Sequence, residues 1–82
     1  MRSDDNIPDL LIFEPRGGYY GLLLELKVKS PYLVDGKTLR KDKHLEAQNK
    51  TLLKLSGKGY KAVFVTGFDE AEKVITNYMK LK

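Results

Sequence analysis

Short apolar runs separated by turn-forming residues fill the first third of the chain, apolar residues recur at helical spacing later, and this pattern predicts the elements. Residues 9 to 14, Asp-Leu-Leu-Ile-Phe-Glu, are rich in strand formers and run into the turn-prone cluster Pro15-Arg16-Gly17-Gly18. A β-hairpin follows, antiparallel about Arg16 to Tyr20, with a return strand from Tyr19 or Tyr20 to Lys29. Alternation puts Leu22, Leu24, Leu26 and Val28 on one face and Leu23, Glu25, Lys27 and Lys29 on the other. Glu25 and Lys27 therefore point the same way. Pro31 and Asp35-Gly36 stop regular structure, and a polar loop runs to about Lys41. It is long for so small a domain, which makes it a candidate for substrate contact.

From Asp42 to Ser56, Leu45, Leu52 and Leu55 recur at helical spacing, Gln48 falls on the same stripe, and Gly57 and Gly59 mark the exit. Ala62-Val63-Phe64-Val65-Thr66 reads as a short interior strand reached by a helical crossover, which makes its neighbour parallel. A second helix opens near Asp69, where Asp69 and Glu72 have the spacing of a capping box. Its apolar face is Ala71, Val74, Ile75, Tyr78 and Met79. The order strand, strand, helix, strand, helix predicts a small α/β domain: a mixed sheet of about three strands with two helices. No repeat or low-complexity tract divides it, so residues 1–82 read as a single domain.

At 82 residues the core must be compact or shared with a partner. There is no cysteine, which excludes disulfides and thiolate metal sites. The longest apolar runs, Leu22 to Leu24 and Ala62 to Val65, are too short to span a bilayer, and no basic-then-apolar leader precedes Asp4 and Asp5. An intracellular protein without membrane attachment is expected. The net charge of +4 is unevenly placed: residues 27 to 61 hold ten Lys or Arg against Asp35, Asp42 and Glu46, and the rest of the chain is net acidic. A basic surface beside an acidic pocket suits a phosphodiester enzyme, although a solvated lysine-rich helix and loop would give the same count.

The acidic pocket is predicted from Pro8-Asp9 and, sixteen residues beyond the aspartate, Glu25-Leu26-Lys27. Two carboxylates converging at strand ends can hold a divalent cation, and a neighbouring lysine can orient or activate water. Asp9 alone would ordinarily satisfy backbone amides, and an alternating Glu-Lys pair is ordinarily a solvated face. Their setting, late in a strand that is apolar on both faces, calls for a compensating partner. Gln48 adds an amide on the core side of the next helix, where it can reach water or phosphate. His44 fits a helix-start residue contacting phosphate or solvent better than a general base. Competing motifs fail: Gly36-Lys37-Thr38 lacks the earlier glycine of a P-loop, and residues 34 to 46 lack the oxygen ligands of an EF-hand. The aromatics are few and scattered, which gives no single-strand stacking platform.

Five segments occur in order: Pro8-Asp9-Leu10-Leu11-Ile12, Gly21 to Lys27, Gln48 with Leu52, Gly59-Tyr60, and Gly67-Phe68-Asp69-Glu70-Ala71. Together they resemble the virus-type replication-repair nuclease (VRR-NUC) domain, a branch of the PD-(D/E)xK superfamily with a restriction-endonuclease-like core. The resemblance implies a Mg2+- or Mn2+-dependent DNA endonuclease with no organic cofactor, in the cytoplasm of a bacterial or phage-infected cell. Asp9 and Glu25 would be metal ligands, with the Leu26 carbonyl as a backbone ligand. Lys27 would position or activate water, and Gln48 would support the site. Lys29, Lys37, Arg40, Lys41, His44, Lys50 and Lys54 would contact mostly DNA backbone. Branched or duplex DNA, such as four-way junctions, is the implied substrate and a homodimer the implied state. Domains of this family place a helix with an acidic residue ahead of the Pro-Asp segment. Only seven residues precede Pro8, so that helix is expected to be missing: either the chain is trimmed relative to its parent, or Asp4, Asp5 or a second subunit fills the gap. The alternative is a catalytically incomplete nuclease-fold module that binds DNA or a partner without cutting.

Overall fold

The computed structural model of the chain describes residues 7–82. Asp4 and Asp5, the expected substitutes for a missing acidic residue, lie outside them. The elements come in the predicted order: β1 (Leu10–Ile12), β2 (Leu22–Lys27), α1 (Lys43–Gly57), β3 (Lys61–Thr66) and α2 (Gly67–Met79). The sheet runs β1-β2-β3. β1 is antiparallel to β2, with Leu10 opposite Leu24 and Ile12 opposite Leu22. β3 is parallel to β2, with Glu25 opposite Phe64 and Lys27 opposite Thr66.

The two helices take opposite faces of this mixed sheet, because the α1 crossover joins parallel strands while α2 returns after β3. On one face Leu22, Leu24 and Val65 pack against Ala71 and Tyr78 of α2, with Leu10, Ile12, Val63, Val74 and Ile75 around them. Burying each of the large side chains here stabilises the fold by about 1.5–3 kcal/mol. Tyr78 satisfies its hydroxyl by donating to the Glu14 carbonyl at 2.6 Å. The other face carries Leu23 and Glu25, both buried, beneath Leu45, Gln48 and Leu52 of α1. The helical stripe thus includes a polar residue because the strand below it presents one.

The bounds of β1, β2 and α2 differ most from the sequence-based expectation. β1 is shorter than residues 9 to 14, and β2 begins at Leu22 rather than at Tyr19 or Tyr20. Arg16 and Tyr19 close a tight turn by exchanging backbone hydrogen bonds, while the Tyr20 N–H donates to Gly59 outside the hairpin. Gly17 and Gly18 sit at φ +56° and +86°, where side chains are disfavoured. At Gly21 the limit is space: a Cβ would lie 2.6 Å from the Ile12 carbonyl oxygen. Val28 and Lys29 fall beyond the end of β2, and Val28 is fully solvent-accessible.

The second helix opens at Gly67, not near Asp69, and the expected Asp69/Glu72 capping box does not form its start. Thr66 is the N-cap residue but makes no side-chain cap bond, and its backbone N–H instead donates to the Glu70 carboxylate. Glu70 thereby supplies the reach-back contact expected of Glu72. At α1 the cap is orthodox: Asp42 accepts from the N–H groups of His44 and Leu45 at 2.8 and 3.2 Å. Those bonds hold the Asp42 carboxyl below the usual aspartate range, the Leu45 amide contributing most.

Candidate metal centre

Continuing the hairpin register by one residue sets Asp9 opposite Glu25, on the sheet face that α1 covers. The Asp9 carboxylate accepts from the Leu26 N–H at 2.8 Å, which ties the segment ahead of β1 to β2 and turns the aspartate toward its neighbour. Glu25 is 5% exposed and Gln48 7%. Gln48 Nε2 donates to Glu25 Oε2 at 2.7 Å, a bond across 23 residues of chain made inside the protein. Asp9, by contrast, stays open to solvent, so the pair has one sealed member and one accessible member.

Burial pushes the Glu25 carboxyl up to about 7, and the Asp9 carboxylate beside it adds to the rise through repulsion and a shared hydrogen bond. Lys27 acts in the opposite direction, too weakly to cancel them. The Glu25 carboxylate is therefore poorly compensated, at a site without enough positive charge. The Oε1 of Gln48 is buried with no hydrogen-bond partner. A crowded carboxylate pair beside an orphaned acceptor is the donor chemistry that a hard divalent cation with its water shell would satisfy. Magnesium suits this set because it commonly takes one or two carboxylates and keeps several waters. Among the described residues there is no group of three or more His, Cys, Asp or Glu able to hold a metal.

Lys27 lies two residues beyond Glu25 on the same face, half-buried, its Nζ 5.9 Å from the centre of the Phe64 ring. Phe64 meets Tyr32 edge-on, ring centres 6.2 Å apart. This contact seats the polar loop against the sheet beside buried Pro31. The loop closes on itself through Leu33 N–H to Thr38 O and Arg40 N–H to Pro31 O, at 2.7 and 2.8 Å. Asp35 fastens the tip by accepting from the Lys37 and Thr38 amides, both at 2.9 Å, and from the Thr38 hydroxyl at 2.6 Å. These bonds, the Thr38 hydroxyl foremost, hold the Asp35 carboxyl below its ordinary range.

The fold thus brings Asp9, Glu25, Lys27 and Gln48 to one end of one sheet face. Lys29, Lys37, Arg40, Lys41, His44, Lys50 and Lys54 are all solvent-exposed. His44 belongs to the first turn of α1, where its backbone caps on Asp42. Phe64 and Tyr32 are the residues that sequence reading passed over. The signal for Phe64 was the parallel register itself, which sets it opposite Glu25; for Tyr32 no local pattern pointed to the site.

No family model and no curated protein matches the chain. Among solved structures it is similar to a "VRR_NUC domain protein", with a TM-score of 0.72 and 33% sequence identity. The match covers 95% of this chain and 56% of the other, so the chain spans little more than half the length of that protein. With this mixed three-stranded sheet and its two flanking helices, and with the fold and a third of the aligned residues shared, the chain belongs to the VRR-NUC branch of the PD-(D/E)xK nuclease superfamily.

Proposed function

We propose that this nuclease-family module binds DNA and hydrolyses phosphodiester bonds with Mg2+ or Mn2+ held at Asp9 and Glu25. The observation that carries the reading is the Asp9–Glu25 pair closed from within by Gln48, with its unrelieved negative charge and orphaned amide oxygen. The Leu26 carbonyl is the proposed backbone ligand. When bound, the cation would supply Lewis-acid stabilisation of the charge that builds on the phosphate. Lys27 would orient the attacking water and offset charge at the phosphate, with Phe64 limiting where its ammonium can go. Gln48 would hold the Glu25 carboxylate in its ligating rotamer. Contacts from the exposed basic residues, His44 included, would be mainly to backbone phosphate, so selectivity follows DNA shape more than base sequence.

Branched DNA such as a four-way junction is the proposed substrate. A homodimer presenting two sites is supported by the bare apolar side chains of Val28 and Phe68, which a second subunit would cover. We take residues 1–82 as one folding unit in an intracellular setting; no helix among the described residues is long and apolar enough to cross a membrane.

The second reading, a module that holds DNA or a partner without cutting, is favoured by the ligand set, which among the described residues stops at two carboxylates. Cleavage of labelled junction and duplex DNA with magnesium, manganese or chelator separates the two. The enzyme cuts only with metal, and Lys27→Ala abolishes cutting while leaving binding. Intact DNA under every metal, with binding retained, selects the second reading.

A further inference from the structure

α1 presents a second stripe besides the one that packs on the sheet. Leu45, Gln48 and Leu52 face the core, whereas Thr51, Lys54, Leu55 and Lys58, at helical spacing, face a groove of about 520 Å³ between α1 and β1. Leu11 and Leu23, paired across the hairpin, form its floor, and Phe13 and Tyr60 line it further along. Pro8, immediately before Asp9, also borders it. Leu23 lies two residues before Glu25 on the same face, so the groove leads directly away from the carboxylate pair.

Its floor is aliphatic, two aromatics stand further along it, and its rim is cationic. Phe13 is 69% exposed. Tyr60 packs edge-on against Tyr20, ring centres 5.9 Å apart, and Tyr20 is itself 64% exposed. Phe13 and Tyr60 line the groove and Tyr20 adjoins it through Tyr60, so aromatics scattered in the sequence meet along it. Lys54 and Lys58 lie one turn apart, about 6 Å along the axis, and both are solvent-exposed. Among the described residues no carboxylate lines the groove.

We infer that this groove is a track for single-stranded DNA, with bases stacking on Phe13 and the Tyr20–Tyr60 pair and phosphates meeting Lys54 and Lys58. The inference rests on the DNA-binding part of the function proposed above and adds the form of DNA that the site receives: an unpaired strand leaving a branch point. A duplex offers no free base faces to the aromatics, and its stiff backbone does not reach an apolar floor. Stacking on exposed aromatics is tolerant of base identity, so the track would be indifferent to sequence and sensitive to salt.

The test uses fluorescence anisotropy of the full chain with labelled oligothymidylate of about ten nucleotides, a length within the span of single-strand sites. A blunt duplex of equal length is the comparison, and chelator is present throughout. The single strand should bind more tightly than the duplex. Phe13→Ala should weaken the single strand by about tenfold and leave the duplex unchanged, with Phe13→Leu, which keeps apolar bulk, weakening it nearly as much. Lys58→Glu should weaken binding and flatten its salt dependence. These side chains are solvent-facing, and a thermal melt of each variant checks that it folds. Equal or tighter duplex binding overturns the inference, as does a Phe13→Ala effect of the same size on both ligands or on neither. Self-association of the wild type abolished by Phe13→Ala would assign the groove to a second copy and also overturn it. Failure of junction cleavage with single-strand binding intact counts against the enzyme reading and leaves the track standing.

Discussion

Glu25→Gln should stabilise the metal-free protein at alkaline pH while removing the proposed metal site. The carboxyl is raised from 4.5 to about 7, first by burial and then by Asp9, so the folded state holds the proton more tightly than the unfolded chain does. The resulting stability is fully present below pH 4.5 and is lost as pH rises through about 7, the reverse of an ordinary paired carboxylate. At about 1.4 kcal/mol per pH unit the ionised folded form is penalised by at most about 3.5 kcal/mol. Water around exposed Asp9 screens the repulsion and brings this nearer about 2 kcal/mol. For a domain of this size that corresponds to roughly 10 °C in Tm. Melts in chelator at pH 5 and pH 8 should show wild type losing that much more than Glu25→Gln across the interval. Magnesium at pH 8 should restore wild type and leave the variant unmoved. Equal pH dependence of the two proteins, or a magnesium response retained by Glu25→Gln, would refute the account of Glu25 as a sealed, charge-frustrated ligand.

Gln48→Leu removes the 2.7 Å bond to Glu25 and should cut metal affinity and cleavage about 10- to 100-fold, read by calorimetric titration and nuclease assay. Its melting point should fall less than a lost charge-assisted bond would suggest, since the unpartnered Oε1 goes too. Tyr78→Phe should cost about 1 kcal/mol in denaturant unfolding through the lost bond to Glu14, without changing DNA affinity. Gly21→Ala drives a methyl against the Ile12 carbonyl and should destabilise the hairpin by about 1–3 kcal/mol, measured the same way. Asp35→Ala unties the loop tip, and hydrogen exchange should show faster exchange at the Lys37 and Thr38 amides with α1 and the sheet unaffected.

The sequence made the element order legible because period and turn chemistry agree: Gly17-Gly18 between two apolar runs, the Leu45/Gln48/Leu52 stripe, the Ala62 to Val65 run. The parallel partner of β3 followed from the crossover rule. What it hid were ends and long-range contacts. β2 starts late because the Tyr20 N–H donates to Gly59, far along the chain, a bond that no local pattern announces. α2 starts early because the Glu70 carboxylate reaches the Thr66 amide, when Asp69 and Glu72 carried the better-known spacing. That Asp9, Glu25 and Lys27 meet at one end of one sheet face was legible from alternation and the family resemblance. The degree to which Glu25 is sealed, and the aromatic seat of Lys27 on Phe64, depend on the packing of α1 and the loop.

The hairpin register also fixes the order in which the site can be built. Asp9 and Glu25 meet through the local hairpin, whereas Gln48 reaches Glu25 from the helix of the crossover to β3, a longer and less local closure. In the interval two carboxylates face each other without the amide that steadies one of them. Cation present during refolding would relieve that early repulsion, so divalent metal should act on the folding rate as well as on the finished protein.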